Sequence, residues 1–336
     1  MALRQIQLSI PVDQIDSVRK AVSNHSLLDL SDTGISGTMS TVTVLIEAAQ
    51  AEALMDMLDT SFGSVTGFRV VLWTVDATLP RPPPEPPPPA AITPTNKPEP
   101  VNRISREELR NTLQDATKLG HVYLVMAVLS SVVAVIGLLE SNVAVIIGAM
   151  VTAPLLGPNI ALALAVTLGD LSLARRALAA GLAGFLVVLI VALSIGFFGA
   201  IDVQVPQIAM RTSVGLGDVM LALASGAAGA LAFTTAVSVS LVGVMVAVAM
   251  VPPLVVFGLL LGSGHMIEAW GALELVSANV ICVNLAGVIV FLLQGIRPRT
   301  WWEADRAKRA TRIALAFWAI LPVLLVLVIT FIRHHG

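Results

Sequence analysis

The chain has 336 residues, of which 56% are hydrophobic and only 12% charged, with a mean hydropathy of +0.86 and a formal net charge of −2. That composition lies far from a soluble average and describes a polytopic membrane protein whose principal partner is the lipid bilayer. The balanced charge argues against nucleic acid as a partner, and a single cysteine, Cys282, rules out a disulfide framework or a cysteine-rich metal site.

Residues 1–79 differ from everything after them. Leu3, Ile6, Leu8 and Ile10 give a strand-like beginning, and Ile15, Val18 and Val22 follow helical spacing within 13–25. A short apolar strand at Leu27 to Leu30 leads through a turn at Gly34 and Gly37 to Val42, Val44 and Ile46, which alternate as a paired strand does. Ala51, Leu54, Met55 and Leu58 share one face of a second helix, and Phe68 to Val75 reads as a last strand. The order βαββαβ predicts an α+β ferredoxin-like domain. Such a domain serves ligand sensing and subunit contacts alike, and no phosphate loop or ligand cluster decides between them. The polar, alternating start lacks the apolar core of a signal peptide, which predicts a cytoplasmic location.

Residues 80–102 form a proline-rich linker, with Pro82 to Pro84 and Pro86 to Pro89 as its densest part. Such a run favours extended polyproline II and serves as a semi-rigid spacer or as bait for a proline-binding module. In 103–119 an amphipathic juxtamembrane helix is expected. Ser105 caps it, Glu108 stands at the capping-box position, and Leu109, Leu113 and Ala116 make its stripe.

Residues 120–336 form the transmembrane domain. Its apolar stretches run over 120–139, 143–169, 177–200, 217–233, 236–262, 268–293 and 313–332, most of them about the 20 residues that a bilayer requires. If each crosses once, Arg103, Arg106, Arg110, Lys118, Arg175, Arg176 and the basic group from Arg297 to Arg312 share one side. The other side shows only Arg211 and Arg333. The positive-inside rule then puts the amino terminus inside and the carboxyl terminus outside a bacterial or archaeal inner membrane. A re-entrant segment would change that parity.

Two stretches carry the same interruption. Gly148, Met150, Val151 and Pro158 of the first correspond to Gly243, Met245, Val246 and Pro253 of the second, and each segment reads as a membrane helix broken near its middle. Corresponding broken segments in two halves of a chain point to the central site of a secondary transporter, because backbone released at a break faces the solute. Pro154, Gly157, Pro158, Pro252 and Pro253 are therefore candidate substrate or permeation residues. Asn159 joins them, either as the cap of a new half-helix or as a substrate contact.

Other polar groups are spaced around these breaks. Glu274, Ser277 and Asn284 share one face of the sixth stretch within an arc of about 80°. As an intramembrane carboxylate, Glu274 is a candidate for proton or cation coupling, although its place near the start of the stretch also lets it reach headgroup water. Asn279 points elsewhere on that helix, toward a neighbouring one. Asp170, Arg175 and Arg176 read as structural or surface groups, with Asp170 capping the following helix or pairing with an arginine. Ala222, Gly226 and Ala230 repeat small residues every four positions, the spacing of close helix packing.

Nothing suggests an enzyme. The five histidines are scattered, and no metalloprotease, Walker or dinucleotide motif occurs, so no catalytic residue, metal or cofactor is assigned.

The run Gly148-Ala149-Met150, Ala153-Pro154-Leu155 and Gly157-Pro158, followed by Thr167-Leu168-Gly169-Asp170 and the Arg175-Arg176 pair, resembles the bacterial and archaeal family catalogued as domain of unknown function 389. Ala224-Ser225-Gly226, Val251-Pro252-Pro253-Leu254 and Asn284-Leu285-Ala286-Gly287 are similar to that family as well. The resemblance covers about residues 120–295. It implies a hydrophobic integral membrane protein, often with a soluble cytoplasmic extension, and it brings no substrate.

The sequence thus predicts an α-helical polytopic membrane protein of about seven spans, two of them broken at proline, joined to an N-terminal ferredoxin-like domain and assembled as a homo-oligomer. Its expected role is a transporter or channel-like permease for a small solute or ion. The alternative is a membrane-anchored sensor or scaffold that transports nothing and whose soluble domain binds a ligand or partner.

Overall fold

A computed structural model describes residues 3–23, 27–36, 38–75, 78, 104–235 and 239–297, except for the side chains of 33, 35, 36, 49 and 239–249. The chain divides into two compact units, Met1–Glu108 and Leu109–Gly336. The predicted proline-rich linker, most of the basic group from Arg297 to Arg312, and the stretch 313–332 lie outside the described residues.

In the first unit, β1 (Leu3–Pro11) is followed by a short 3-10 turn and α1 (Ile15–Val22). Then come β2 (Asp29–Ser36), β3 (Met39–Glu47), α2 (Ala48–Phe62) and β4 (Arg69–Val75). The four strands make one antiparallel sheet in the order β2-β3-β1-β4, with Ile6 opposite both Val44 and Leu72. Alternation sends Ile6, Leu8, Ile10, Val42, Val44 and Ile46 to one face, where they meet Val18 and Val22 of α1 and Leu54 and Leu58 of α2. The strand expected at Leu27 to Leu30 begins at Asp29 and runs on to Ser36. A register shift between Asp32 and Gly34 absorbs an extra residue, and glycine tolerates the left-handed φ of 138° there. Gly34 thus lies inside a bulged strand and does not make the turn.

The helix α3 (Arg106–Ala116) begins as its capping signal predicts, with the Ser105 hydroxyl accepting the Glu108 N–H at 3.2 Å. The Glu108 carboxylate also accepts both Nε and Nη2 of Arg4, each at 3.2 Å.

The described residues of the second unit are helical: α4 (His121–Leu139), α5 (Val143–Thr152), α6 (Leu156–Leu168), α7 (Leu171–Phe198), α8 (Pro206–Ala209), α9 (Leu216–Thr235), α10 (Val239–Gly262) and α11 (Met266–Leu293). Among the described residues, α4, α7, α9 and α11 are each long and apolar enough to cross a membrane, and α5 with α6 makes a fifth if the bent pair counts as one span. These apolar helices mark a membrane protein. Helix α11 lies mostly inside the bundle, whereas α7 leaves Leu178, Leu182, Leu186 and Ile190 exposed along one stripe.

Two expectations about the breaks need correction. The first break falls at Ala153 to Leu155, where the axes of α5 and α6 differ by 53°, and not around Gly157. Pro154 occupies the gap, while Gly157 and Pro158 already belong to the first turn of α6. A proline is tolerated there because the first N–H groups of a helix have no intrahelical acceptor. The second break is absent, since α10 continues through Pro252 and Pro253. Adjacent prolines remove only the two N–H groups that would reach the carbonyls of residues 248 and 249. Burial of Val251, Val255, Val256 and Leu259 in the main core of the bundle holds the helix together across that loss.

Candidate functional site at the helix break

A break inside an apolar bundle frees carbonyls that need partners. At the end of α5 the Ala149 carbonyl accepts the Ser130 hydroxyl of α4 at 2.7 Å and the Thr152 hydroxyl at 2.9 Å, and the Met150 carbonyl accepts the Ala153 N–H at 3.3 Å. Across the gap, the Leu155 carbonyl accepts the Asn159 side-chain amide at 2.8 Å. Asn159 therefore does not cap α6. Leu155 holds the cap position without a side-chain bond, and Asn159, one turn further on, bonds backward.

That backward bond aims the rest of the Asn159 amide into the space between α6, α10 and α11. Its Nδ2 lies 3.4 Å from the Met250 sulfur on α10. Its Oδ1 accepts Nδ2 of Asn284 on α11 at 3.2 Å, and Asn284 Nδ2 also donates to the Val280 carbonyl at 2.8 Å. Asn159 is 6% exposed and Asn284 is 0% exposed. Asn284 Oδ1 has no hydrogen-bond partner among the described residues. A carbonyl oxygen buried without a donor costs about 1–3 kcal/mol, which a water, a solute N–H or O–H, or a cation placed there would recover.

The other candidates do not join this pair. Ser277 turns its hydroxyl back to the Leu273 carbonyl at 2.8 Å, as a helix-interior serine commonly does. Glu274 is partly exposed and precedes Asn284 by ten residues, about 15 Å along α11. Pro252 and Pro253 are buried in unbroken α10.

Asp170 both caps and pairs. Its Oδ1 accepts the Leu173 N–H at 3.0 Å, and its Oδ2 accepts Arg110 Nε at 2.8 Å and Nη2 at 2.7 Å. Burial by itself would raise its pKa, but the Leu173 N–H and the Arg110 guanidinium hold it below the ordinary aspartate value. Its arginine partner comes from α3, whereas Arg175 and Arg176 are exposed on α7.

Met250 was not foreseen, because a methionine in an apolar run carries no polar signal. Arg211 entered the sequence analysis only as a marker of topology and Asp218 not at all, yet they line a cavity with Pro253 and Asn279. No three His, Cys, Asp or Glu side chains among the described residues gather as metal ligands.

Residues 150–285, from the last turns of α5 to Asn284 and its neighbour on α11, match the profile of the family described as domain of unknown function (DUF389). The chain is also 35% identical over 295 residues to the uncharacterised protein MJ0678 of Methanocaldococcus jannaschii, covering 88% of this chain and 89% of that protein. The chain belongs to the DUF389 family. The matched segment of this DUF389 protein includes the break, Asn159, Met250 and Asn284, so the site lies in the part that the family shares. No solved structure matches it.

Proposed function

We propose that this protein is a membrane transporter or channel-like permease for a small solute or ion, with its central site where α6, α10 and α11 meet. The observation that carries the reading is the buried Asn159–Asn284 pair beside a broken span, which leaves Asn284 Oδ1 as an open acceptor. Bundles that only anchor a domain gain nothing from an unfilled polar group at that depth, whereas a permeation site needs one. Asn159 and Asn284 form the core of the site, Pro154, Gly157 and Pro158 shape the bend, and Pro252 and Pro253 set the backbone of α10 opposite. Glu274 and Ser277 lie further along α11, where Glu274 serves proton or cation coupling at the mouth of the path.

The finer architecture belongs to the same proposal. Seven spans would include the stretch 313–332. The β2-β3-β1-β4 order of the sheet, with α1 and α2 between its strands, supports a ferredoxin-like domain, which would sit in the cytoplasm beneath a bacterial or archaeal inner membrane. The exposed stripe of α7 would be buried in lipid or in a homo-oligomer contact.

The competing reading, a scaffold or sensor that transports nothing, draws on how closed the same centre is, since Asn159 is 6% exposed and Leu254 is 4% exposed. Cysteines placed at these two positions, in a Cys282→Ala background in sealed vesicles, separate the two. Reaction of Asn159→Cys and Leu254→Cys with small aqueous thiol reagents is the expected result. Labelling that appears only after detergent unfolding would mean a sealed centre and would sink the transport reading.

A further inference from the structure

A cavity of about 190 Å3 lies between the α8–α9 connection and the helices α9, α10 and α11. It is smaller than the roughly 300–1,000 Å3 of pockets that enclose drug-sized ligands, so only a small solute suits it. Its polar lining is Arg211, Asp218 and Asn279, and its apolar lining includes Leu221, Pro253 and Leu275. Pro253 is three residues from Met250 and Asn279 is five from Asn284, so the cavity shares α10 with Met250 and α11 with Asn284 of the amide site.

The two charges are not spent on each other. Arg211 Nη1 donates to the backbone and side-chain oxygens of Gln207 at 2.5 and 2.9 Å, and Asp218 Oδ2 accepts the Gly215 N–H at 2.9 Å. Neither makes an ion pair among the described residues, although the Asp218 charge is felt at Arg211. Burial pulls the Arg211 pKa below its ordinary value, with the Asp218 charge opposing the shift. A half-buried guanidinium and a half-buried carboxylate, close but unpaired across a small cavity, each leave hydrogen-bonding capacity unused.

We infer that this cavity binds a small zwitterion of the amino-acid type, with its carboxylate on Arg211, its ammonium on Asp218, and a short apolar side chain against Leu221, Leu275 and Pro253. A simple anion would meet the Asp218 carboxylate and a simple cation would meet Arg211, whereas a neutral solute would leave both charges unmatched. A zwitterion satisfies both, and Asn279 supplies an amide beside them. That the cavity loads the path toward Asn159 and Asn284 rests on the transport reading, but occupancy by a zwitterion does not.

The test is binding of L-alanine to the purified full-length protein in lipid nanodiscs, measured by calorimetry and by thermal shift beside propionate and ethylamine. L-alanine is expected to bind and to raise Tm, while propionate, lacking the ammonium, and ethylamine, lacking the carboxylate, bind at least about tenfold more weakly. Arg211→Gln and Asp218→Asn are each expected to weaken L-alanine by roughly tenfold or more. Arg176→Gln, exposed on α7 and outside the cavity lining, should leave binding within about threefold. Should the Arg211 variant fail to fold, the preference of the wild-type protein for L-alanine over its two halves still decides the matter. Propionate binding as tightly as L-alanine would make the cavity a plain anion site, and no binding of L-alanine would leave it without this ligand; either result overturns the inference. Binding that persists while Asn159→Cys stays unlabelled would retain the zwitterion site and remove the transport reading.

Discussion

At Asn159 and Asn284, two amides reach each other across 125 residues of sequence, and each also bonds to its own helix at the i−4 carbonyl. The pair is therefore coupled, and substituting one partner strands the other. Asn284→Leu leaves Asn159 Oδ1 without its donor, and Asn159→Leu removes the bond to the Leu155 carbonyl. In a double-mutant cycle read by unfolding in mixed micelles, the double leucine variant should cost about 0.6–2 kcal/mol less than the two single variants together. Strict additivity would show that the two amides do not interact.

Asp170 permits a second test with a defined sign. Because its folded-state pKa lies below the unfolded value of about 3.9, its contribution is present above that pH and is lost as pH falls through the folded value. Asparagine at this position keeps the cap on Leu173 but gives up the charge facing Arg110. The Tm gap between wild type and Asp170→Asn should therefore stay constant from about pH 5 to 8 and close below about pH 4. A gap that widens on acidification would contradict the assignment.

The small-residue stripe of α9 shows how helices here come close enough to position such groups. A Cβ built at Gly226 would stand 2.6 Å from Val283 Cα and 2.7 Å from its carbonyl oxygen on α11, and backbone has no rotamer with which to yield. Gly226→Ala should cost about 1–3 kcal/mol by forcing α9 and α11 apart. Gly217, in the first turn of the same helix, has open space around it, so Gly217→Ala should be neutral or stabilising by up to about 1 kcal/mol. Matched Tm measurements on the two variants check both expectations, and an equal effect would mean that helix propensity rather than packing sets the outcome. Elements of this kind were legible in advance. Alternation marked β1 and β3, apolar length marked α4, α7, α9 and α11, and Ser105 with Glu108 marked the start of α3. The position of the break was harder to read. Proline signals a lost N–H wherever it stands, but the loss matters only where that N–H has an acceptor, which Pro158 in the first turn of α6 would not. Proline in α10 misled for a related reason, because burial of the helix outweighed its local preference.

For the molecule as a whole, the sequence conveyed class and family but little of the site's geometry. Asn159 and Asn284 were each nominated, yet periodicity describes one helix at a time and contains no contact between α6 and α11. Met250, Arg211 and Asp218 acquire meaning only once α9, α10, α11 and the α8–α9 connection converge. The two ends of the chemistry also differ: an uncharged amide pair stands in the middle of the bundle, and a charged cavity stands beside it.

The bent pair gives the bundle a mechanical property of its own. Helices of 10 and 13 residues are about 15 and 20 Å long, and with a 53° bend they rise only about 27 Å along a common axis when α5 stands upright. Each of the 28-residue helices α7 and α11 extends about 42 Å. If it crosses a hydrocarbon layer of about 30 Å as one span, the bent pair would be stretched where the longer α7 and α11 tilt to fit. A thicker bilayer would then pull the elbow straighter, and the strain would fall one turn from Asn159, the member of the amide pair that stands on α6.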